Sequence, residues 1–91
     1  MENINNKEVL SNKSKHEFFT ILSQIIGYTP IDIVEGDEKI TLLSDNGKLK
    51  VIYKEQERIV DFDKYVDEYG NSLFNDFNAG KLEIITHIKL E

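Results

Sequence analysis

The chain predicts an α+β fold in which an N-terminal helix packs on a four- to five-stranded antiparallel sheet, with one or two short helices between residues 63 and 79. Three observations predict it. Tight-turn residues fall at Gly36 and at Asn46-Gly47. The apolar residues on either side of these turns alternate with period two. A capping signal followed by a helical apolar stripe comes before them.

The helix is read first. The segment 1–13 is polar, with Val9 and Leu10 its only adjacent apolar pair, and is expected to be a flexible terminus that turns helical near Val9. Ser14 and Glu17 have the spacing of a capping box. Phe18, Phe19, Ile21, Leu22, Ile25 and Ile26 then recur at spacings of three and four, on one broad face. Gly27 suits the left-handed position after a helix and Pro30 prevents continuation. Pro30 at the mouth of the first strand also reads as a device that blunts a sheet edge.

From Ile31 to Phe62 the chain reads as a four-stranded antiparallel meander. Gly36 fits the first central position of a type II′ turn, which sets Ile33 opposite Ile40 and Ile31 opposite Leu42. Asn46-Gly47 fits a type I′ turn, which sets Leu42 opposite Val51 and Ile40 opposite Tyr53. The third joint, around Lys54-Glu55-Gln56-Glu57, has no Gly or Asn; an even loop there sets Val51 opposite Val60 and Leu49 opposite Phe62. Together these registers bring Ile31, Ile33, Ile40, Leu42, Leu49, Val51, Tyr53, Val60 and Phe62 to one face. The reverse face carries lysines and a row of Thr41, Ile52 and Ile59.

After the meander, Asp61 or Asp63 can cap a helix with Tyr65, Val66 and Tyr69 on its inner side, ended by Gly70. A further short helix carries Leu73, Phe74 and Phe77 and closes at Asn78-Ala79-Gly80. Residues 81–90 alternate cleanly, with Leu82, Ile84, Thr86, Ile88 and Leu90 on one side, and form a last strand with either meander edge as its neighbour. Residues 14–91 are thus expected to form a single domain, as a chain of 91 residues with 40% hydrophobic content allows.

Composition narrows the function. There is no cysteine, so disulfides and thiolate metal sites are excluded. No apolar run approaches the ~20 residues of a membrane span, and the amino terminus has neither a basic nor an apolar signal region. Seventeen acids against eleven bases give a net charge of −6. The bases are interleaved with acids, which disfavours direct nucleic-acid binding and favours a protein partner with a basic surface. Heavy use of Ile, Lys and Asn suggests an AT-rich genome, hence the cytoplasm of a bacterial host.

The candidate chemistry is thin. Asp61, Asp63 and Asp67 have calcium-loop spacing, but Val66 stands where the loop needs Gly and Ser72 where it needs Glu, so no metal is expected. His16 and His87 have no nucleophile or orienting group brought near them by the sequence, so no catalytic residue and no cofactor is assigned. Ser44-Asp45-Asn46 reads as a turn, and the five isolated glycines make no phosphate loop. Two surfaces remain. The acidic and aromatic group Asp63, Tyr65, Asp67, Glu68, Tyr69 and Asp76 suits a partner-binding surface. Thr41, Ile52 and Ile59 suit an oligomer contact, a homodimer through the sheet. In size, acidity and composition the chain resembles small phage or mobile-element proteins that bind and block a host enzyme. That resemblance covers no alignable motif and assigns no residue.

Overall fold

The computed structural model describes residues 2–5 and 10–88, with side chains from Leu10 to Thr86. The order is β1 (Glu2–Asn5), α1 (Lys15–Tyr28), β2 (Ile31–Glu35), β3 (Glu38–Asp45), β4 (Lys48–Tyr53), β5 (Gln56–Val60), α2 (Phe62–Asn78) and β6 (Glu83–Ile88). The strands form one antiparallel sheet in the order β1-β6-β2-β3-β4-β5. Both helices lie on one face, so the architecture is the expected α+β arrangement.

The turn chemistry behaves as its residues require. Gly36 has φ 59° while Asp37 stays in the ordinary region, and Glu35 pairs with Glu38, as a II′ hairpin demands. Asn46 and Gly47 both have positive φ, 52° and 80°, and Leu42 faces Val51 as expected. The third joint differs from expectation. Lys54 and Glu55 themselves take positive φ, 50° and 67°, and close a two-residue loop. Leu49 therefore faces Val60, and Val51 faces Arg58. Because this register differs from the expected one by an even step, no side chain changes face. Phe62, expected in the strand, is released into the first turn of α2.

The last strand takes the edge of the meander at β2, pairing Ile31 with Thr86 and Ile33 with Ile84. On its far side β1 pairs Asn5 with Ile85 and Glu2 with Ile88. The polar composition of this opening segment gave no sign of a strand. It follows that β2 is interior, and Pro30 blunts no edge; it precedes the first ladder residue, where a missing N–H costs nothing.

The capping box is present in full: the Ser14 hydroxyl accepts from the Glu17 N–H, and the Glu17 carboxylate accepts from the Ser14 N–H. α1 runs through Gly27 and ends at Tyr28, with Thr29 extended. Gly27 is therefore a helical residue, and the stop comes from Pro30, which forces its predecessor out of the helical region. α2 is one helix of 17 residues, where a short helix ending at Gly70 and a second one closing at Asn78-Ala79-Gly80 are expected. Gly70 is buried against α1 and acts as a packing position. The helix closes with a Schellman motif: Gly80 at φ 75°, its N–H donating to the Phe77 carbonyl and the Lys81 N–H to that of Asp76.

The core sits between the helices and the sheet. Phe18, with no exposed surface, has ring neighbours Phe19, Phe74 and Phe77 at 4.9, 5.4 and 5.3 Å. Leu22, Ile31, Leu42, Leu49 and Ile84 are also fully buried, as is Leu10, ahead of α1. Among the described residues, no helix is long and apolar enough to cross a membrane.

Candidate protein-binding surfaces

Helical periodicity decides which α2 side chains share a surface. Tyr65, Leu73 and Phe77 are buried, so the residues flanking that stripe divide into two groups. Asp63 and Asp67 turn toward α1 and, with its Lys15 and His16, rim an open groove floored by Phe19 and Val66. Tyr65, Tyr69 and Asp76 turn the other way, toward the β2–β3 hairpin. Glu68 lines a neighbouring cleft beside Arg58 and Lys64 that the two tyrosines also reach. The structure thus separates the six residues that the sequence groups together. Asp63 and Asp67 face Lys15 and His16, Glu68 sits among Arg58 and Lys64, and Tyr65, Tyr69 and Asp76 stand together.

The hairpin-side cleft has the most distinctive chemistry. Its volume is about 160 Å³. Glu35, Glu38 and Asp76 line it with the two tyrosines, and no Lys, Arg or His does. Glu35 and Glu38 are direct cross-strand partners, an arrangement in which like charges repel. Glu38 accepts a hydrogen bond from the Tyr53 hydroxyl at 2.8 Å. The carboxylates of Glu35 and Asp76 have no ion-pair partner among the described residues.

The tyrosine pair sits at 4.9 Å between ring centroids, tilted by 45°. Tyr65 is 8% exposed and Tyr69 38%. Burial pushes the Tyr65 phenol up to about 12, with the neighbouring Tyr69 adding to the effect and Arg58 opposing it. The Tyr65 hydroxyl has no hydrogen-bond partner among the described residues.

Sequence reasoning passed over Glu35 and Glu38. The signal was available, because a II′ turn at Gly36 sets these two acids opposite each other whatever else the fold does.

Asp61 occupies the N-cap of α2, yet its carboxylate makes no capping bond. It pairs instead with Lys48 Nζ at 2.6 Å, and that lysine holds its pKa below the ordinary carboxylate value. His16 is exposed on α1. The His87 backbone pairs with Asn3 in β6, and its side chain lies outside the described residues. No three His, Asp or Glu side chains among the described residues converge to hold a metal ion.

Among the described residues, no helix lies on the reverse face of the sheet. Ile59 is 51% exposed there, and Val34, Leu43 and Ile52 are half-buried. Thr41 is half-buried too, its hydroxyl donating to Asp32 Oδ1 at 2.6 Å. Ile59 stands opposite Lys50, and Ile52 opposite Glu57. Lys50 lies within 3.5 Å of Asp45 and 3.4 Å of Glu57, and these acids raise its pKa, Glu57 most. The central cation of this face is therefore already neutralised.

Comparison with protein-family models, with curated proteins and with solved structures returns no match to this chain.

Proposed function

We propose that this chain is a small non-enzymatic module that acts by binding a basic surface on another protein. The best specific reading is an inhibitor, encoded by a phage or mobile element, that blocks a host enzyme in the bacterial cytoplasm, including one that processes nucleic acid. The observation that carries the reading is the hairpin-side cleft, where three carboxylates and an exposed tyrosine meet without a cation among the lining residues. Opposite charge steers such a partner and fixes its register, and aromatic rings supply contact area at low entropic cost. The overall charge of −6 acts in the same direction.

Capture from a bacterial lysate on immobilised protein tests it. A partner should be retained at low salt, released as ionic strength rises, and lost when Glu35, Glu38 and Asp76 are replaced by lysine. Retention indifferent both to salt and to the charge reversal would remove the reading.

One observation favours a second reading, a homodimer through the sheet. The reverse face offers Ile59 and Ile52 around a neutralised lysine, on a molecule whose net charge elsewhere opposes self-association. Sedimentation across a wide concentration range decides this. The dimer reading requires a rising mass that Ile59→Asp abolishes.

A further inference from the structure

The hairpin-side cleft admits a narrower assignment, which rests on the basic-partner reading above. We propose that it is a socket for a single lysine or arginine side chain of the partner. The Tyr65 hydroxyl serves as an acceptor, the Tyr69 ring as a cation-binding face, and Glu35, Glu38 and Asp76 as the compensating charge.

Five observations point to a cationic side chain. Tyr65 is more than nine-tenths buried and lines the cleft, yet its hydroxyl has no hydrogen bond among the described residues. Buried phenols nearly always have such a bond, and Arg58, which lines the neighbouring cleft with Tyr65, makes none to it, so the hydroxyl can accept one from a bound cation. Tyr69 lies against it and keeps more than a third of its surface open, which leaves ring face for an ammonium or guanidinium group. Glu35 and Glu38 repel one another across the hairpin, and a cation between them removes that repulsion. The cleft, at about 160 Å³, is smaller than the roughly 300 Å³ at which ordinary small-molecule pockets begin. The carboxylates also do not converge as a metal ion requires. One long cationic side chain meets all of these limits.

The test uses the full chain and three capped pentapeptides, each with a central lysine, arginine or glutamine between glycines. Tyrosine ring resonances are followed by NMR at low salt. The lysine or arginine peptide should shift the Tyr65 and Tyr69 signals saturably, and the glutamine peptide should not. Tyr65→Phe, which keeps the ring and removes only the hydroxyl, should weaken binding by about three- to ten-fold. Tyr69→Leu should weaken it by a comparable factor.

If binding survives both tyrosine variants and is lost only with Glu35→Gln, Glu38→Gln and Asp76→Asn, diffuse charge attraction replaces the socket. If no cationic peptide shifts either tyrosine while a lysate partner is still captured in a salt-sensitive way, the socket is wrong and the basic-partner reading stands. Loss of both results removes both proposals.

Discussion

A Cβ atom at Gly70 would stand 3.2 Å from Cε2 and 3.3 Å from Cζ of Phe19, so the approach of α2 to α1 depends on residue 70 having no side chain. Val66 Cγ1 closes the same space at 3.1 Å. Both neighbours are stiff. Phe19 is held edge-on against Phe18 at 4.9 Å, and a helical valine has essentially one rotamer.

Gly70→Ala therefore sets two effects against each other. Alanine in a helix interior gains roughly 0.8–1 kcal/mol over glycine, while overpacking a stiff core site costs about 1–3 kcal/mol. The expected balance is a net loss of about 1 kcal/mol, read from the urea midpoint. Gly70→Leu should lose far more. A stabilised alanine variant would show that the Phe19 ring yields into the open groove beside it.

The capping box predicts an acid-sensitive helix start. Ser14→Ala should cost about 1 kcal/mol, the usual value of an N-cap hydroxyl. The Ser14 N–H, foremost, and its hydroxyl hold the Glu17 carboxylate below its ordinary 4.5. A depressed folded-state pKa contributes stability that is complete above the unfolded value and is lost as pH falls through the folded one. Glu17→Gln should thus flatten the stability profile below pH 4.5. An acid limb identical in the two proteins would contradict the assignment.

The β4–β5 loop holds two residues with side chains in the left-handed region, Lys54 and Glu55. Such a conformation costs roughly 1 kcal/mol per residue outside glycine. Glu55→Gly should accordingly stabilise the protein by about 0.5–1 kcal/mol. The same change at Lys54 should gain less, because Lys54 Nζ sits 5.3 Å from the Tyr53 ring and that contact would go. Thermal unfolding of the two variants gives the comparison.

Tyr65 predicts an alkaline transition. Its folded-state value of about 12 lies above the ordinary 10.0, so its stabilising contribution is complete below pH 10 and is lost as pH rises through 12. That span is worth on the order of 2–3 kcal/mol. Tyr65→Phe should remove this slope between pH 10 and 12. In the parent protein, phenolate absorbance should show an ionisation near pH 12 that Tyr65→Phe lacks.

The readable parts of the fold were those in which two local signals had to agree. Gly36 and Asn46-Gly47 set registers, and Ile31, Ile33, Leu42 and Val51 confirmed them by falling on one face; all four are buried. The β4–β5 register slipped through because Lys54 and Glu55 take conformations that their side chains disfavour, and only the strands on either side force it. Gly70 and Gly27 read as helix stops because glycine in a sequence carries the cost of flexibility but not the proximity of Phe19 that offsets it. β1 was illegible for a related reason: Glu2–Asn5 has no alternation, and only pairing with β6 makes it a strand. Of the candidate site, Tyr65, Tyr69 and Asp76 were read from α2 alone, whereas Glu35 and Glu38 join them only through tertiary packing.

The place of β6 in the sheet has a consequence for how the molecule is made. Its slot lies between β1 and β2, which a ribosome produces long before residues 83–88 emerge. Until then the hairpins of the meander can close locally, but the free side of Ile31–Glu35 stays an open hydrogen-bonding template and β1 has nowhere to go. A chain in which the meander forms first is therefore expected to leave that slot open to another strand, from a neighbour or from a second nascent copy. In such a chain the sheet is completed by insertion of β6 between β1 and β2, and the speed of that step sets how long the slot stays open.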